Sequence, residues 1–393
     1  MPAAGGRPEK NVDRAGGAPV LCRDMASTVH VALGARSYDI VIGQGLLPLL
    51  GEGCKKLGLG RNSLVVTDMT VAPLHGEVTA SSLAGSGFQV GRALVPAGEQ
   101  SKDIQILFHV YQKAVEQGLD RKSFMVALGG GVVGDLAGFA AATFLRGIDF
   151  VQVPTTLLAM VDSAVGGKTG INLPQGKNLV GSFHQPRLVI ADLDLLKTLP
   201  PREIAAGMAE VVKYGVIKDA TFFAMLEKNA DAIRNGDANL LEQIVRRSCE
   251  IKGDVVGRDE REEGGLRAIL NFGHTIGHAI EAVTGYGTYL HGEAIAIGMV
   301  YAARLSAELL GMPKDDVVRL DRLLRRFSLP TELPDCPWQP IRRAMGMDKK
   351  SKGGSPRFVL AEKIGVVREG VEVSEDVLQR LWEDRSPVRG HGF

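Results

Sequence analysis

Four short apolar runs, residues 38–43, 63–68, 124–128 and 150–154, are spaced through the first half of the chain with helical stretches between them. Runs this short and this continuous suit strands buried on both faces, and the intervening segments are long enough for crossover helices. That pattern constrains the fold to a mainly parallel sheet with helices on both faces, whose ligands sit beyond the carboxyl ends of the strands. From about residue 186 the character changes. Segments 202–214, 240–256, 267–284, 292–310 and 316–327 carry helical periodicity, and 357–360 with 365–367 reads as a late hairpin. The reading is an α/β chain: a nucleotide-type sheet domain over residues 26–185, then a mostly α-helical domain over 186–393, with a cleft between them.

Charge and cysteine content narrow the function classes. The 46 Lys+Arg against 45 Asp+Glu leave a formal net charge of +1, which favours neither nucleic acid nor an anionic membrane surface. No apolar run approaches the roughly 20 residues that span a bilayer. Cys22, Cys54, Cys249 and Cys336 are far apart and form no CxxC pair, which fits a reducing cytoplasm better than a disulfide framework. Residues 1–25 are rich in Ala, Gly, Pro and Arg and lack an apolar core, so they read as a disordered N-terminal extension rather than a secretory signal.

The run Leu128-Gly129-Gly130-Gly131-Val132-Val133-Gly134-Asp135 puts glycines where a strand hands over to a helix. Backbone N–H groups there can approach a pyrophosphate, and the helix N-terminus adds a favourable dipole. The spacing is not GxGxxG. Glu99 and Lys102 lie in a polar turn that could hold a ribose hydroxyl or a phosphate, although from the residues alone a solvated loop is the stronger reading. Asp162, Lys168, Lys177 and Asn178 fall in a segment too apolar and glycine-rich for a solvated face, and such a composition suits a pocket for an anionic, hydroxyl-rich substrate. Gly166-Gly167-Lys168-Thr169 resembles part of a phosphate-binding loop, but the full GxxxxGK[ST] spacing fails, so a P-loop is rejected.

Three of the eight histidines, His274, His278 and His291, fall in two short glycine-punctuated segments. His274 and His278 stand four apart, on one face of a helix, and neutral imidazole is the commonest metal ligand. Glu210 and Lys213 sit about one turn apart among apolar neighbours. Glu210 is therefore a candidate third ligand beside two histidines, the donor set of many catalytic zinc sites.

In order along the chain, GGGVVGDLAGFAAATFLRG, VPTTLLAMVDSAVGGKTGIN, GKNLVGSFHQP, GMAEVVKYG, LNFGHTIGHAIE, LHGEAIAIGM and MDKK resemble the motifs of the 3-dehydroquinate synthase family. The resemblance runs from about Val29 to Val367. It implies a Rossmann-like NAD-binding domain and a metal- and substrate-binding helical domain. It also implies the family's reaction, from 3-deoxy-D-arabino-heptulosonate 7-phosphate to 3-dehydroquinate and inorganic phosphate, on the shikimate route to chorismate and the aromatic amino acids. Its cofactors are NAD, regenerated in each turnover, and a divalent metal, zinc or cobalt; its assembly is a homodimer.

Residue by residue, the resemblance makes Glu210, His274 and His291 the metal ligands and moves His278 to the substrate phosphate. Asp162, Lys168, Lys213, Lys252, Arg267, Asn271, Lys349 and Lys350 match substrate-site positions. Arg146 matches an arginine that, in some members, reaches the phosphate from the neighbouring subunit. NAD contacts fall to Asp68, Glu99, Lys102, Gly130, Gly131, Asp135, Thr155, Thr156, Lys177, Asn178, Thr198 and Leu199. Asp68-Met69-Thr70 departs from the family's usual strand end. Other sugar phosphate cyclases, an aminodehydroquinate synthase, a metal-dependent polyol dehydrogenase and a non-catalytic binding protein are the rival readings.

Overall fold

The computed structural model describes residues 26–285, 287–346, 356–384 and 386; the segment 1–25, and Lys349 with Lys350, lie outside them. The first half builds strands β1 (Ser27–Val31), β2 (Tyr38–Gly43), β3 (Asn62–Asp68), β4 (Gln89–Val95), β5 (Phe124–Gly129) and β6 (Asp149–Pro154). A separate hairpin, β7 (Lys168–Leu173) with β8 (Gly176–Phe183), precedes β9 (Leu188–Asp192). Helices α1 (Leu50–Lys56), α2 (Ala72–Gly85), α3 (Ile104–Glu116) and α4 (Gly131–Thr143) fall between the strands.

The main sheet has the order β1-β2-β9-β6-β5-β3-β4, parallel except for β1. Its inner strands read as continuous apolar runs because both faces are covered. Val65, Val126, Leu128 and Val151 face a core shared with the helical half, whereas Leu64, Val66, Met125 and Ala127 face residues of α3 and α4. The chain leaves β3 toward one edge of the sheet and β5 toward the other, so a crevice opens beyond Asp68 and Gly129, where such sheets bind ligands.

β9 lies past the boundary that the sequence reading draws at 185, yet it fills the sheet between β2 and β6. We place the division after the turn that ends at Thr198. The second half contains α5 (Pro201–Lys218), α6 (Ala220–Arg234), α7 (Ala238–Arg258), α8 (His274–Thr284), α9 (His291–Leu309), α10 (Lys314–Arg326) and α11 (Trp338–Gly346). The late hairpin, β10 (Arg357–Lys363) with β11 (Val366–Glu372), and α12 (Glu375–Glu383) close it. Among the described residues no helix is long and apolar enough to cross a membrane.

Two glycines set how closely the site-bearing helices approach. A Cβ on Gly292 of α9 would stand 1.9 Å from the carbonyl oxygen of Ala206 in α5, and one on Gly298 would stand 2.0 Å from that of Gly273, just before α8. Glycine costs about 1 kcal/mol in a helix relative to alanine, and here that cost brings three helices into backbone contact.

Candidate active site

Glu210, His274 and His291 come from α5, α8 and α9, and their ligand atoms all lie within 4.8 Å of one another. Glu210 is fully buried. Its Oε2 accepts from the Lys213 ammonium, one turn along the same helix, while Oε1 has no hydrogen-bond partner. That free oxygen lies 3.6 Å from His274 Nε2 and 3.8 Å from His291 Nε2. Both rings are held by their other nitrogen: His274 Nδ1 lies 3.2 Å from the carbonyl of Phe272, and His291 Nδ1 lies 3.3 Å from Glu281 Oε2. An orphaned buried carboxylate oxygen costs free energy unless a cation meets it, and a carboxylate with two oriented imidazoles is the donor set of a catalytic divalent metal. The residues fit such an ion.

Burial, reinforced by Lys213, His278 and His291, holds His274 well below the usual histidine range, which keeps its ring neutral. Burial would also lower His291, but Glu281 outweighs it and raises that ring. His278 lies one turn after His274 on α8 with its ring centroid 5.3 Å away and 5.8 Å from that of His291. It is exposed and forms a second, overlapping group with Glu281 and His291.

Asp162 lies in a π-helical turn (Ala159–Ser163), a distortion frequent at functional sites. It accepts from Lys252 Nζ at 2.6 Å and from the Tyr214 hydroxyl at 2.9 Å. Burial would raise its carboxyl, but Lys252 and Lys213 hold it far below the usual range, so it stays ionised. Lys252 also donates to the Asp162 carbonyl at 2.7 Å. Lys213, Lys252 and Asp162 thus form one compact ionic group next to Glu210.

The next residue, Ser163, reaches the glycine turn. A Cβ on Gly131 would meet Ser163 Oγ at 2.8 Å, one on Gly130 would meet Thr156 Cγ2 at 3.1 Å, and Ser163 Oγ is buried without a hydrogen-bond partner. The turn leads directly into the N-terminus of α4. Bare backbone, helix dipole and an unsatisfied hydroxyl together fit a dinucleotide pyrophosphate. Below the turn, Lys102 Nζ pairs with Asp135 Oδ2 at 2.6 Å and with Asn178 Oδ1. Asn178, with φ +54°, donates its N–H to Asn172 Oδ1 at 2.9 Å, and Asn172 Nδ2 donates to Glu99 at 2.8 Å. Thr155 is buried with its N–H on the Gly129 carbonyl.

Arg267 is buried and donates to the carbonyls of Glu260 and Gly166. Lys168 is exposed and paired with Glu262. Asn271 Nδ2 donates to the Ala268 carbonyl. Asp68 accepts from the N–H groups of Thr70 and Val71 in the turn that precedes α2. The Thr198 hydroxyl, beside Leu199, meets His75 Nε2 at 3.0 Å. Lys177, at the hairpin tip, reaches Glu281 Oε1 at 3.3 Å. Arg146 stands apart: it follows the C-terminal end of α4, with φ +72°, while the glycine turn lies at the other end.

Family models for the 3-dehydroquinate synthase N-terminal and C-terminal regions match residues 92–206 and 207–351. A 3-dehydroquinate synthase of Nostoc punctiforme is 52% identical over 360 residues, covering 91% of this chain and 99% of that one. The chain belongs to the 3-dehydroquinate synthase family. A Geobacter metallireducens member is 54% identical over 86% of this chain and 94% of that one. Among solved structures, a 2-deoxy-scyllo-inosose synthase complexed with carbaglucose-6-phosphate, NAD+ and Co2+ aligns with a TM-score of 0.84 at 28% identity, covering 92% of this chain and all of that one (100%). A Streptomyces hygroscopicus 2-epi-5-epi-valiolone synthase with NAD+ and Zn2+ aligns at 0.81 and 29%, covering 89% and 97%. A probable glycerol dehydrogenase of Sinorhizobium meliloti, at 17% identity and 0.59, shares the fold.

Several residues around this 3-dehydroquinate synthase-family site escape the sequence reading. Tyr214 is buried between the Val161 carbonyl and Asp162. Arg202 holds Glu293 through two bonds of 2.7 Å, and Glu293 accepts the Leu290 N–H at 2.8 Å, capping α9 immediately before His291. The Glu293 position three residues after the helix cap is the one local signal that marks this pair. Glu281 and Ser163 carry no such signal, because only the tertiary fold brings them to the site.

Proposed function

We propose that the chain converts 3-deoxy-D-arabino-heptulosonate 7-phosphate to 3-dehydroquinate and inorganic phosphate, as a carbon–oxygen lyase that uses NAD and a divalent metal. The observation that carries this reading is adjacency: the open oxygen of Glu210, the Asp162–Lys252–Lys213 group and the glycine turn are linked through consecutive residues Asp162 and Ser163. Identity above 50% to dehydroquinate synthases, against below 30% to the solved inosose and valiolone cyclases, favours this substrate over theirs.

Glu210, His274 and His291 would hold the metal; Gly130, Gly131, Asp135, Thr155, Thr156, Lys102 and Asn178 would hold the dinucleotide, with Asp68, Glu99, Lys177, Thr198 and Leu199 at its margins. When bound, NAD supplies a hydride acceptor that is regenerated, and the divalent ion a Lewis acid for substrate hydroxyls. Lys213, Lys252 and Arg267 give the pocket the positive charge that a substrate with a phosphate and a carboxylate needs; Asp162 fixes Lys252 in place and Glu210 fixes Lys213. His278 and Lys168 stand at the exposed side, suited to the leaving phosphate, and Asn271 to a hydroxyl. Lys349 and Lys350 complete the substrate set by family pattern.

Arg146 serves the neighbouring subunit in this reading. The 13-residue α4 separates it from its own glycine turn, a span of about 20 Å at 1.5 Å per residue. Leu145 beside it is exposed, and Tyr111 of α3 stacks on Phe144, continuing a surface that exposes Ile104, Phe108 and Val115. A homodimer would cover that surface.

The purified protein, given the heptulosonate phosphate, trace NAD and Zn2+ or Co2+, should release inorganic phosphate without net NADH, and a chelator should abolish release. Release that consumes stoichiometric NAD, or no release, would overturn the assignment.

A further inference from the structure

We infer that Glu281 is a positioning residue of the metal site: it fixes the tautomer and orientation of His291, and Lys177 of the β7–β8 hairpin fixes Glu281 in turn. The inference rests on the metal reading above and places behind its ligands a supporting residue that does not itself bind the ion.

The geometry divides His291 into two working ends. Nε2 lies 3.8 Å from Glu210 Oε1, inside the three-residue group, while Nδ1 lies 3.3 Å from Glu281 Oε2. An ionised carboxylate only accepts hydrogen bonds, so the proton sits on Nδ1 and the lone pair on Nε2. A ring free to rotate or to change tautomer would present Nε2–H to the ion for part of the time. His274 needs no such partner from a side chain, because the Phe272 carbonyl performs the same task at 3.2 Å. His291 follows the cap of α9, and Glu281 on α8 substitutes for a carbonyl there.

Glu281 could instead be read as a ligand, since it groups with His278 and His291 within the same distance limit. Two facts oppose that. Its other oxygen, Oε1, lies 3.3 Å from the Lys177 ammonium, which a divalent ion would have to face. A cation there would also need the Nδ1 lone pair of His291, and so would remove the proton that leaves Nε2 available to the first group. One histidine cannot serve both groups as a neutral ring. The buried Glu281 therefore works as an acceptor for two donors, one from each half of the chain.

The test is zinc affinity by competition with a chromogenic chelator, on the full chain, for wild type, Glu281→Ala and Glu281→Gln, with the thermal midpoint of the metal-free proteins as a control. Removing the partner of a ligating histidine typically costs about 10- to 100-fold in metal affinity, and Glu281→Ala should show that loss while its metal-free midpoint moves little. Glu281→Gln keeps the volume and an accepting oxygen, so it should recover part of the affinity. It should also shift the visible bands of the cobalt-loaded protein, a readout that does not depend on turnover. Affinity for Glu281→Ala within about twofold of wild type would overturn the inference. Should the alanine variant not fold, an unchanged affinity and cobalt spectrum in Glu281→Gln would overturn it equally. A wild type that takes up no zinc would sink the metal reading itself.

Discussion

Gly298 of α9 lies against the carbonyl oxygen of Gly273 so closely that a single added Cβ would stand 2.0 Å from it. Gly273 itself has φ +82° and directly precedes His274, so the backbone contact fixes the start of α8 against α9. The distance between His274 and His291 depends on that contact.

Gly298→Ala should therefore act on stability and on the metal together. Backbone has to move to admit the methyl group, and overpacking of this kind costs about 3 kcal/mol. Urea unfolding of the metal-free protein should show that loss. Chelator competition should show weaker zinc binding in whatever fraction folds. A variant with wild-type stability would mean that the helices separate without cost.

A second expectation concerns Arg146. If it completes the partner's site, Arg146→Ala and His291→Ala are each inactive alone, and the latter lacks metal by elemental analysis. Mixed after subunit exchange, they should recover activity. Each hybrid dimer carries one intact site, so an equal mixture should reach about a quarter of the wild-type rate. No recovery, with exchange verified by mass, would place Arg146 in its own subunit's site or outside any site.

Acid stability offers a third test, away from the active site. Asp219 caps α6 by accepting the Phe222 N–H at 2.9 Å, and Arg247 Nη2 approaches it at 2.7 Å. Burial would raise its carboxyl, but the cap bond and Arg247 outweigh this and hold it below the usual carboxylate range. A depressed folded-state value means the stabilisation is present above the unfolded pKa of about 3.9 and fades as pH falls through the folded one. Asp219→Ala should cost about 1 kcal/mol at pH 7 by urea unfolding. The gap between variant and wild type should narrow as pH falls below the ordinary carboxylate range and through the depressed folded-state value. A gap independent of pH would assign the cost to packing alone.

Much of this architecture is legible in the order of residues, and the exceptions have physical causes. β2, β3, β5 and β6 stand out because both of their faces are buried, which makes each run apolar throughout. β7 and β8 do not, because Gly170 and Gly181 face each other where a Cβ would meet the opposite strand's carbonyl at 2.6 and 2.2 Å, and glycine carries no strand signal. β9 reads as apolar too, but its neighbours β2 and β6 are chosen by non-local pairing. In the site, the pairing of Glu210 with His274 follows from residue type and local setting. Helical spacing favours His278 as the second imidazole. What brings His291 in is the approach of α9 to α8 through Gly298, a tertiary fact that no spacing rule contains.

The Lys213 ammonium holds one oxygen of Glu210 and leaves the other aimed between two imidazoles that are themselves tethered. Each donor is thus tethered by a contact that does not involve the ion, so part of the entropy of arranging them is a cost of folding. A carboxylate and two imidazoles suit several divalent ions. Which metal the protein carries is then a matter of supply in its surroundings as much as of the side chains that grip it.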